Sequence, residues 1–109
     1  MSICERMGVS ASPPEPGSKL GIAAGVLEDK QPLNGLRHPP TETTSGWYLW
    51  SGTSFSDAED FFQPMHIEHL ASLRPDLLPY LDLPPGWRFL LAPGYEDVWF
   101  DEALLDIDD

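Results

Sequence analysis

The sequence predicts a single small α+β domain, with a mainly antiparallel sheet and one or two short helices packed on one face. The chain has 109 residues and a hydrophobic content of 41%, which suffices for one modest core. Twelve Pro and nine Gly predict short elements separated by turns. Segments typical of strands lie on both sides of one segment typical of a helix, and this arrangement favours an α+β fold.

The first residues are predicted to be a flexible N-terminal segment, residues 1–18. The stretch "ASPPEPGS" is small, polar and rich in Pro, so it offers little apolar surface for burial. The folded domain is then expected to cover residues 19–109. The single Cys4 excludes an intramolecular disulfide, and the N-terminus lacks the features of a secretory signal, so we expect a cytoplasmic location.

Three strands are predicted in the first half of the domain. Residues 19–29 are apolar and contain Gly, and residues 31–38 form a weaker strand with a bulge or bend at Asn34-Gly35. Residues 46–52, "GWYLWSG", are rich in aromatic side chains and bounded by Gly, which is typical of a short strand.

Short helices are predicted in the middle of the chain. Residues 53–64 read as a structured loop or one helical turn. Residues 64–75 predict a helix that begins at Pro64, a residue favoured at the first helical position, and ends at the next Pro. Residues 74–85 predict a further short helical turn interrupted by Pro79.

The stretch "PPGWRFLLAPGYEDVWFDE" (84–102) predicts a β-hairpin with its turn at residues 92–95. The turn pairs Arg88 with Trp99, and the alternation of a strand leaves Trp99 outside the core, between two acids. We expect three of the four Trp to be structural and Trp99 to be the exception. The hairpin residues assigned to the core are Trp87, Phe89, Val98 and Phe100.

The charge excludes some partners. The chain has eighteen acidic residues and six Lys and Arg, which gives a formal net charge of -12. Such a chain is expected to repel nucleic acid and anionic membranes and to attract a basic partner. Residues 95–109 hold seven acids and no Lys or Arg, and the sequence contains no apolar run of transmembrane length.

Catalytic interpretations find little support. On a helix, His66 and His69 would lie one turn apart and form part of a metal site, but a catalytic zinc needs a third ligand, and His38 lies in a loop beside two Pro. A small metal-dependent enzyme that uses His66 and His69 is therefore an alternative only. We expect no cofactor and no bound metal.

The acidic residues also permit a paired-carboxylate mechanism, but nothing in the sequence sets their separation. Nucleophile elbows, phosphate-binding loops and dinucleotide fingerprints are absent from the sequence. We therefore predict a non-enzymatic protein that binds a partner through acids and an exposed aromatic ring. The predicted partner-binding residues are Trp99, Asp97, Asp101, Glu96, Asp57, Glu59 and Asp60.

Two stretches carry the most specific motifs of the chain. The first is "SGWYLWSG" (45–52), and the second is "PDLLPYLDLPPG" (75–86), which joins a helix to a short Pro-Gly turn. With these motifs in this order, the sequence from about residue 20 to 105 resembles the immunity protein 33 family of bacterial polymorphic toxin systems. Members of that family carry a Tyr-Arg pair where this chain has Leu36-Arg37.

The resemblance implies a bacterial immunity protein, which binds a cognate toxin domain and neutralises it by covering its active site. We expect the toxin to be basic, since an acidic inhibitor then complements it. A monomer is the default expectation for the oligomeric state. A second hypothesis, from a different class, is a regulatory or adaptor domain that binds a peptide or ligand through the same aromatic surface.

Overall fold

The computed structural model describes residues 3–15, 17–23, 25–26, 32–42, 44–52 and 62–105. The strands are β1 (Lys19–Ile22), β2 (Leu33–Arg37), β3 (Thr44–Ser51), β4 (Gln63–His66), β5 (Trp87–Ala92) and β6 (Tyr95–Phe100). The α-helices are α1 (Ile3–Met7), α2 (Ile67–Leu73) and α3 (Leu78–Leu81), and 3-10 helices span Pro75–Leu77 and Glu102–Leu105.

All six strands form one sheet in the order β4-β1-β3-β2-β5-β6. Of these described strands, only β1 and β3 pair in parallel; the other neighbours are antiparallel. The α+β class and the mainly antiparallel sheet predicted from the sequence are therefore confirmed. Among the described residues, no helix has the length and apolar character needed to cross a membrane.

The main core lies between one face of the sheet, here called the helical face, and the helices packed on it. Trp47 of β3 is fully buried there, and its indole N–H donates to the Leu81 carbonyl oxygen at 3.0 Å. The ring of Phe89 from β5 lies against Trp47 at 5.6 Å between centroids. Leu70 and Leu77 close the core from α2 and the following 3-10 helix.

The opposite face of the sheet, here called the outer face, carries a smaller apolar cluster. Leu36 and Trp50 are buried on it together with Leu104 of the C-terminal 3-10 helix. Tyr48 and Phe62 pack on the edge of this cluster with their rings 5.1 Å apart. Both faces of the central strands are thus covered, which explains why β3 reads as a nearly continuous apolar segment.

The bulge predicted at Asn34-Gly35 is wrong. Residues Leu33–Arg37 pair with β3 without a shift in register, and the irregularity of the sheet lies between Lys19 and Gly21 of β1. Gly35 is needed for packing, since a Cβ at this position would lie 2.3 Å from the Phe89 ring. An isolated Gly in a strand indicates either a bulge or a place where another group comes close to the backbone. At Gly35 that group is the Phe89 ring.

The helix predicted over residues 64–75 begins later than expected. Pro64 lies in β4, and His66 has extended backbone angles (φ -68, ψ 143) immediately before α2 starts at Ile67. A Pro is tolerated in β4 because this strand forms an edge of the sheet. The short helical turn predicted after residue 74 is present, and Pro79 lies in the first turn of α3.

The N-terminal residues differ from the flexible segment predicted over residues 1–18. Ile3 and Cys4 of α1 are buried in the main core, and Met7 packs against it. Further along, the Ser12 amide donates to the Asp82 carbonyl oxygen at 2.7 Å. The physical reason is the helical spacing of Ile3, Cys4 and Met7, which places three apolar side chains toward the core despite the polar composition of the stretch that follows.

A buried arginine ties the N-terminal residues to the sheet. Arg37 of β2 is 3% exposed and donates to three backbone carbonyl oxygens. These belong to Ser45 at 2.9 Å, Ser12 at 2.6 Å and Leu83 at 2.8 Å. Burial lowers the pKa of the Arg37 guanidinium, and the charge of Asp82 acts in the opposite direction.

Candidate partner-binding site

The hairpin formed by β5 and β6 positions most of the predicted partner-binding residues that the structure describes. Its register pairs Trp87 with Phe100, Arg88 with Trp99 and Ala92 with Tyr95, as the sequence predicts. The turn consists of Pro93 and Gly94, and Gly94 has a φ of 70°, a conformation that suits Gly. The hairpin register is therefore confirmed.

On the outer face of the hairpin, Trp99 covers the guanidinium of Arg88. The Cζ atom of Arg88 lies 5.3 Å from the centroid of the Trp99 ring, and its NH1 donates to Asp101 Oδ2 at 3.1 Å. Asp101 Oδ1 in turn accepts the Ala103 amide at 3.1 Å. Trp99 is half-buried on a strand that is paired with β5.

Asp97 lies on the same outer face, two residues before Trp99. Its side chain is exposed, and its described contact is with the Tyr95 hydroxyl, 3.5 Å from Oδ2. A hydrogen bond at this length is weak. The Asp97 carboxylate is therefore available to a partner, whereas Asp101 is engaged by Arg88 and Ala103.

Glu96 lies on the helical face, opposite Trp99 and Asp97 in the strand. Its carboxylate accepts from Arg6 NH2 at 2.7 Å and from the Tyr80 hydroxyl. The Tyr80 and Arg6 hydrogen bonds lower the pKa of Glu96. The sequence missed this arrangement because it joins α1, α3 and β6, which are remote from one another in the chain.

The structure therefore separates the predicted partner-binding residues into three groups. Trp99, Asp97 and Asp101 lie together on the outer face, and Glu96 lies on the helical face. The remaining predicted residues, Asp57, Glu59 and Asp60, lie outside the described part of the chain.

The assignment of Phe100 to the core is wrong. Its ring lies on the helical face, 5.8 Å from that of Trp87, yet the residue is 48% exposed. Phe89 is buried as predicted, while Trp87 is half-buried. Alternation predicts which face a side chain occupies, but it cannot show that β6 is an edge strand, and an edge strand leaves that face partly open.

Exposed apolar side chains concentrate at β6, and the sequence did not reveal them. Among the described residues, four large hydrophobic residues are exposed, and three belong to β6 or to the turn that follows it. These are Tyr95 at 55%, Phe100 at 48% and Leu105 at 42%, whereas Leu73 at the end of α2 is the fourth. Aromatic side chains are enriched at protein interfaces, so this surface is a candidate for one.

The geometry assumed for a histidine metal site is wrong. His66 belongs to β4 and His69 to α2, so the two side chains do not share a helix, and both are exposed. His38 Nδ1 lies 3.0 Å from the Leu104 carbonyl oxygen on the outer face. In the described ranges, no group of three or more His, Cys, Asp or Glu residues is arranged to hold a metal ion.

The contact between Tyr80 and Glu96 predicts a pH effect. Burial, followed by the Glu96 hydrogen bond and charge, raises the pKa of Tyr80 from 10 to about 12. The pKa of Tyr80 is higher in the folded protein than in the unfolded protein. The contribution of Tyr80 to stability is therefore complete below pH 10 and is lost as the pH rises toward about 12. Ultraviolet titration of tyrosinate should therefore show one residue that ionises late.

The control for this titration is a matched pair of neighbouring variants. Glu96→Gln removes one charge beside Tyr80 and should lower the pKa of its hydroxyl. Asp97→Asn removes the same charge from the other face of the strand and should leave the late ionisation of Tyr80 unchanged. Equal effects of the two variants would contradict a direct contact and point to net charge alone.

The fold and the hairpin surface together define a small α+β domain with an acidic, aromatic edge strand. The Imm33-like domain family matches residues 1–101, nearly the whole chain, so the chain belongs to the Imm33-like domain family. The family resemblance seen in the sequence is therefore confirmed, and membership indicates an immunity protein. No curated protein and no solved structure matches the chain.

Proposed function

We propose that the protein is a non-enzymatic immunity protein that binds a cognate bacterial toxin domain and neutralises it by covering its active site. The observation that carries the proposal is the half-buried indole of Trp99, which lies over Arg88 beside the exposed carboxylate of Asp97, on a domain of the Imm33-like family. Occlusion requires a complementary surface rather than catalytic groups.

The charge of the domain supports a basic toxin as the partner. The net charge of -12 attracts a basic surface over long distances and speeds its encounter with the toxin. Toxins that act on nucleic acid carry basic residues for the phosphates, and acids of the inhibitor can occupy those same residues. The partner is then held where its substrate would bind.

The proposed binding residues contribute in different ways. Trp99 inserts into the toxin surface, and Asp97 pairs with a basic side chain. Asp101 acts through Arg88, which it holds beneath the indole at 3.1 Å from its carboxylate. Glu96 extends the acidic surface to the helical face, and Asp57, Glu59 and Asp60 are proposed to add further charge. We further propose that the protein acts in the cytoplasm as a monomer.

Co-expression tests the proposal. We expect the gene to lie directly downstream of a gene for a large secreted protein with a variable C-terminal domain. The probe is that C-terminal domain, produced from an inducible promoter in cells that lack any other immunity protein. Cells should survive when this chain is co-expressed and die when it is omitted. Equal killing in both strains would contradict the immunity function.

Trp99→Ala should weaken toxin binding by about 2 kcal/mol or more, the scale of an interface hot spot. Folding should change much less, because the lost contact with Arg88 is a cation–π interaction worth about 0.5–1 kcal/mol at a surface site. Titration calorimetry measures the first effect and thermal unfolding the second.

The matched control for Trp99→Ala is Leu73→Ala, which removes an exposed apolar side chain at the end of α2. This variant should leave binding of the toxin domain unchanged. If the two variants weaken binding equally, or if Trp99→Ala unfolds the protein, the assignment of the outer face of the hairpin to the interface is wrong.

A further inference from the structure

In the described part of the chain, no strand pairs with the side of β6 that faces away from β5. The Asp101 amide donates toward the neighbouring strand, to the Gly86 carbonyl oxygen at 2.7 Å. In an antiparallel pair, residues whose backbone groups bond to the neighbouring strand alternate with residues whose backbone groups point away from it. Trp99 and Asp97 therefore bond to β5, and the N–H and C=O groups of Phe100, Val98 and Glu96 point away from β5. Within the described ranges, β6 is the last strand of the sheet, and no other strand occupies that edge.

The opposite edge of the sheet is less suited to accept a strand. β4 has four residues, contains Pro64 and continues directly into α2. Short length and Pro are features that block pairing at a sheet edge. β6 has six residues and no Pro, so it offers an uninterrupted edge.

Exposed apolar side chains flank the free edge of β6. Phe100 and Leu105 both lie within 3.3 Å of the position that a Cβ on Gly86 would take, so they share one small apolar surface. At the other end of the strand, Tyr95 is 55% exposed. Exposed apolar side chains do not protect a sheet edge from pairing as charged side chains do, so they indicate a binding surface.

The acids near the edge determine which partner can pair with it. Residues 95–105 contain Glu96, Asp97, Asp101 and Glu102 and no Lys or Arg. Antiparallel pairing of β6 with a second copy would bring these acids close to their counterparts, and like charges on paired strands are destabilising. A strand that carries Lys or Arg gains from the same acids.

We propose that the β6 edge accepts an extended basic segment of the toxin as a seventh strand of the sheet. This inference rests on the proposed function and specifies how the toxin is recognised. Backbone hydrogen bonds join the segment to Glu96, Val98 and Phe100. Basic side chains of the segment face Asp97 on the outer face, and apolar ones lie against Phe100 on the helical face.

Residue-resolved amide exchange tests the added strand, with the upstream-encoded toxin domain, made inactive by mutation, as the probe. In the free protein, the Val98 and Phe100 amides should exchange quickly and those of Asp97 and Trp99 slowly. In the complex, Val98 and Phe100 should slow by at least tenfold. Binding without this slowing would overturn strand addition while leaving the immunity function intact.

A proline variant provides a second test that does not depend on exchange. Val98→Pro removes an outward amide from the edge, and Val98→Thr is the matched control that keeps the amide and a similar shape. We expect Val98→Pro to weaken toxin binding at least tenfold more than Val98→Thr does. If Val98→Pro does not fold, the exchange measurement decides.

The remaining outcomes are distinguishable. If the wild-type protein does not bind the toxin domain at all, the proposed function itself fails. If the free protein is a dimer in which the Val98 and Phe100 amides already exchange slowly, β6 pairs with a second copy of the chain. The proposal that a basic toxin segment is the added strand is then wrong.

Discussion

Gly46→Ala should destabilise the protein by more than about 4 kcal/mol, the range reached by few single substitutions. Gly46 of β3 has a φ of 91°, and a Cβ there would lie 2.0 Å from the His38 carbonyl oxygen. A backbone atom in a paired segment cannot move aside as a side chain does, since the Gly46 carbonyl itself accepts the His38 amide at 2.9 Å. Urea unfolding followed by Trp fluorescence measures the loss.

Gly94→Ala is the control for Gly46→Ala, because it measures the cost of a positive φ without the cost of a steric clash. Gly94 also has a positive φ of 70°, but a Cβ there meets no atom within 4 Å. Its cost should be about 1–2 kcal/mol, the ordinary penalty for a left-handed residue other than Gly. Equal losses for the two variants would show that the His38 contact has no energetic effect.

Arg37→Met should cost about 2–5 kcal/mol, because a buried acceptor left without its donor costs about 1–3 kcal/mol. The variant leaves the carbonyl oxygens of Ser12, Ser45 and Leu83 without their donor, and the contacts with Ser45 and Leu83 are buried. It should also release the N-terminal residues from the sheet, so proteolysis before Lys19 should become faster. Chemical unfolding and limited proteolysis measure the two effects.

Arg6→Met is the matched comparison for Arg37→Met. Arg6 is exposed and bonded to Glu96, so its loss should cost no more than about 1 kcal/mol, as for other surface ion pairs. A loss for Arg37→Met no larger than that for Arg6→Met would mean that the three carbonyls find other partners.

Local patterns allowed the hairpin to be predicted in detail. Alternation and a Pro-Gly turn set the pairing of Arg88 with Trp99, because both signals act within the fourteen residues from Trp87 to Phe100. The fold class followed from the same kind of local evidence. The positions of Trp99 and Asp97 on one face followed from strand alternation alone.

Features that depend on distant parts of the chain could not be predicted. Sequence alternation does not show that β6 is an edge strand, and the exposure of Phe100 results from that position. The parallel pairing of β1 with β3 and the contact of Glu96 with Arg6 join segments far apart in sequence. Pro64 favoured a helix by local propensity, but pairing with β1 placed it in a strand.

The order of strands in the sheet has a consequence for synthesis of the chain. The β2–β3 and β5–β6 pairs are local, whereas β1 lies between β3 and β4, and β2 pairs with β5 about fifty residues away. Non-local pairings slow folding, so we expect assembly of the whole sheet, and not formation of either hairpin, to limit the rate. Among the described strands, β6 comes last in chain order, so the surface proposed to bind the toxin is completed only after the other five have been made.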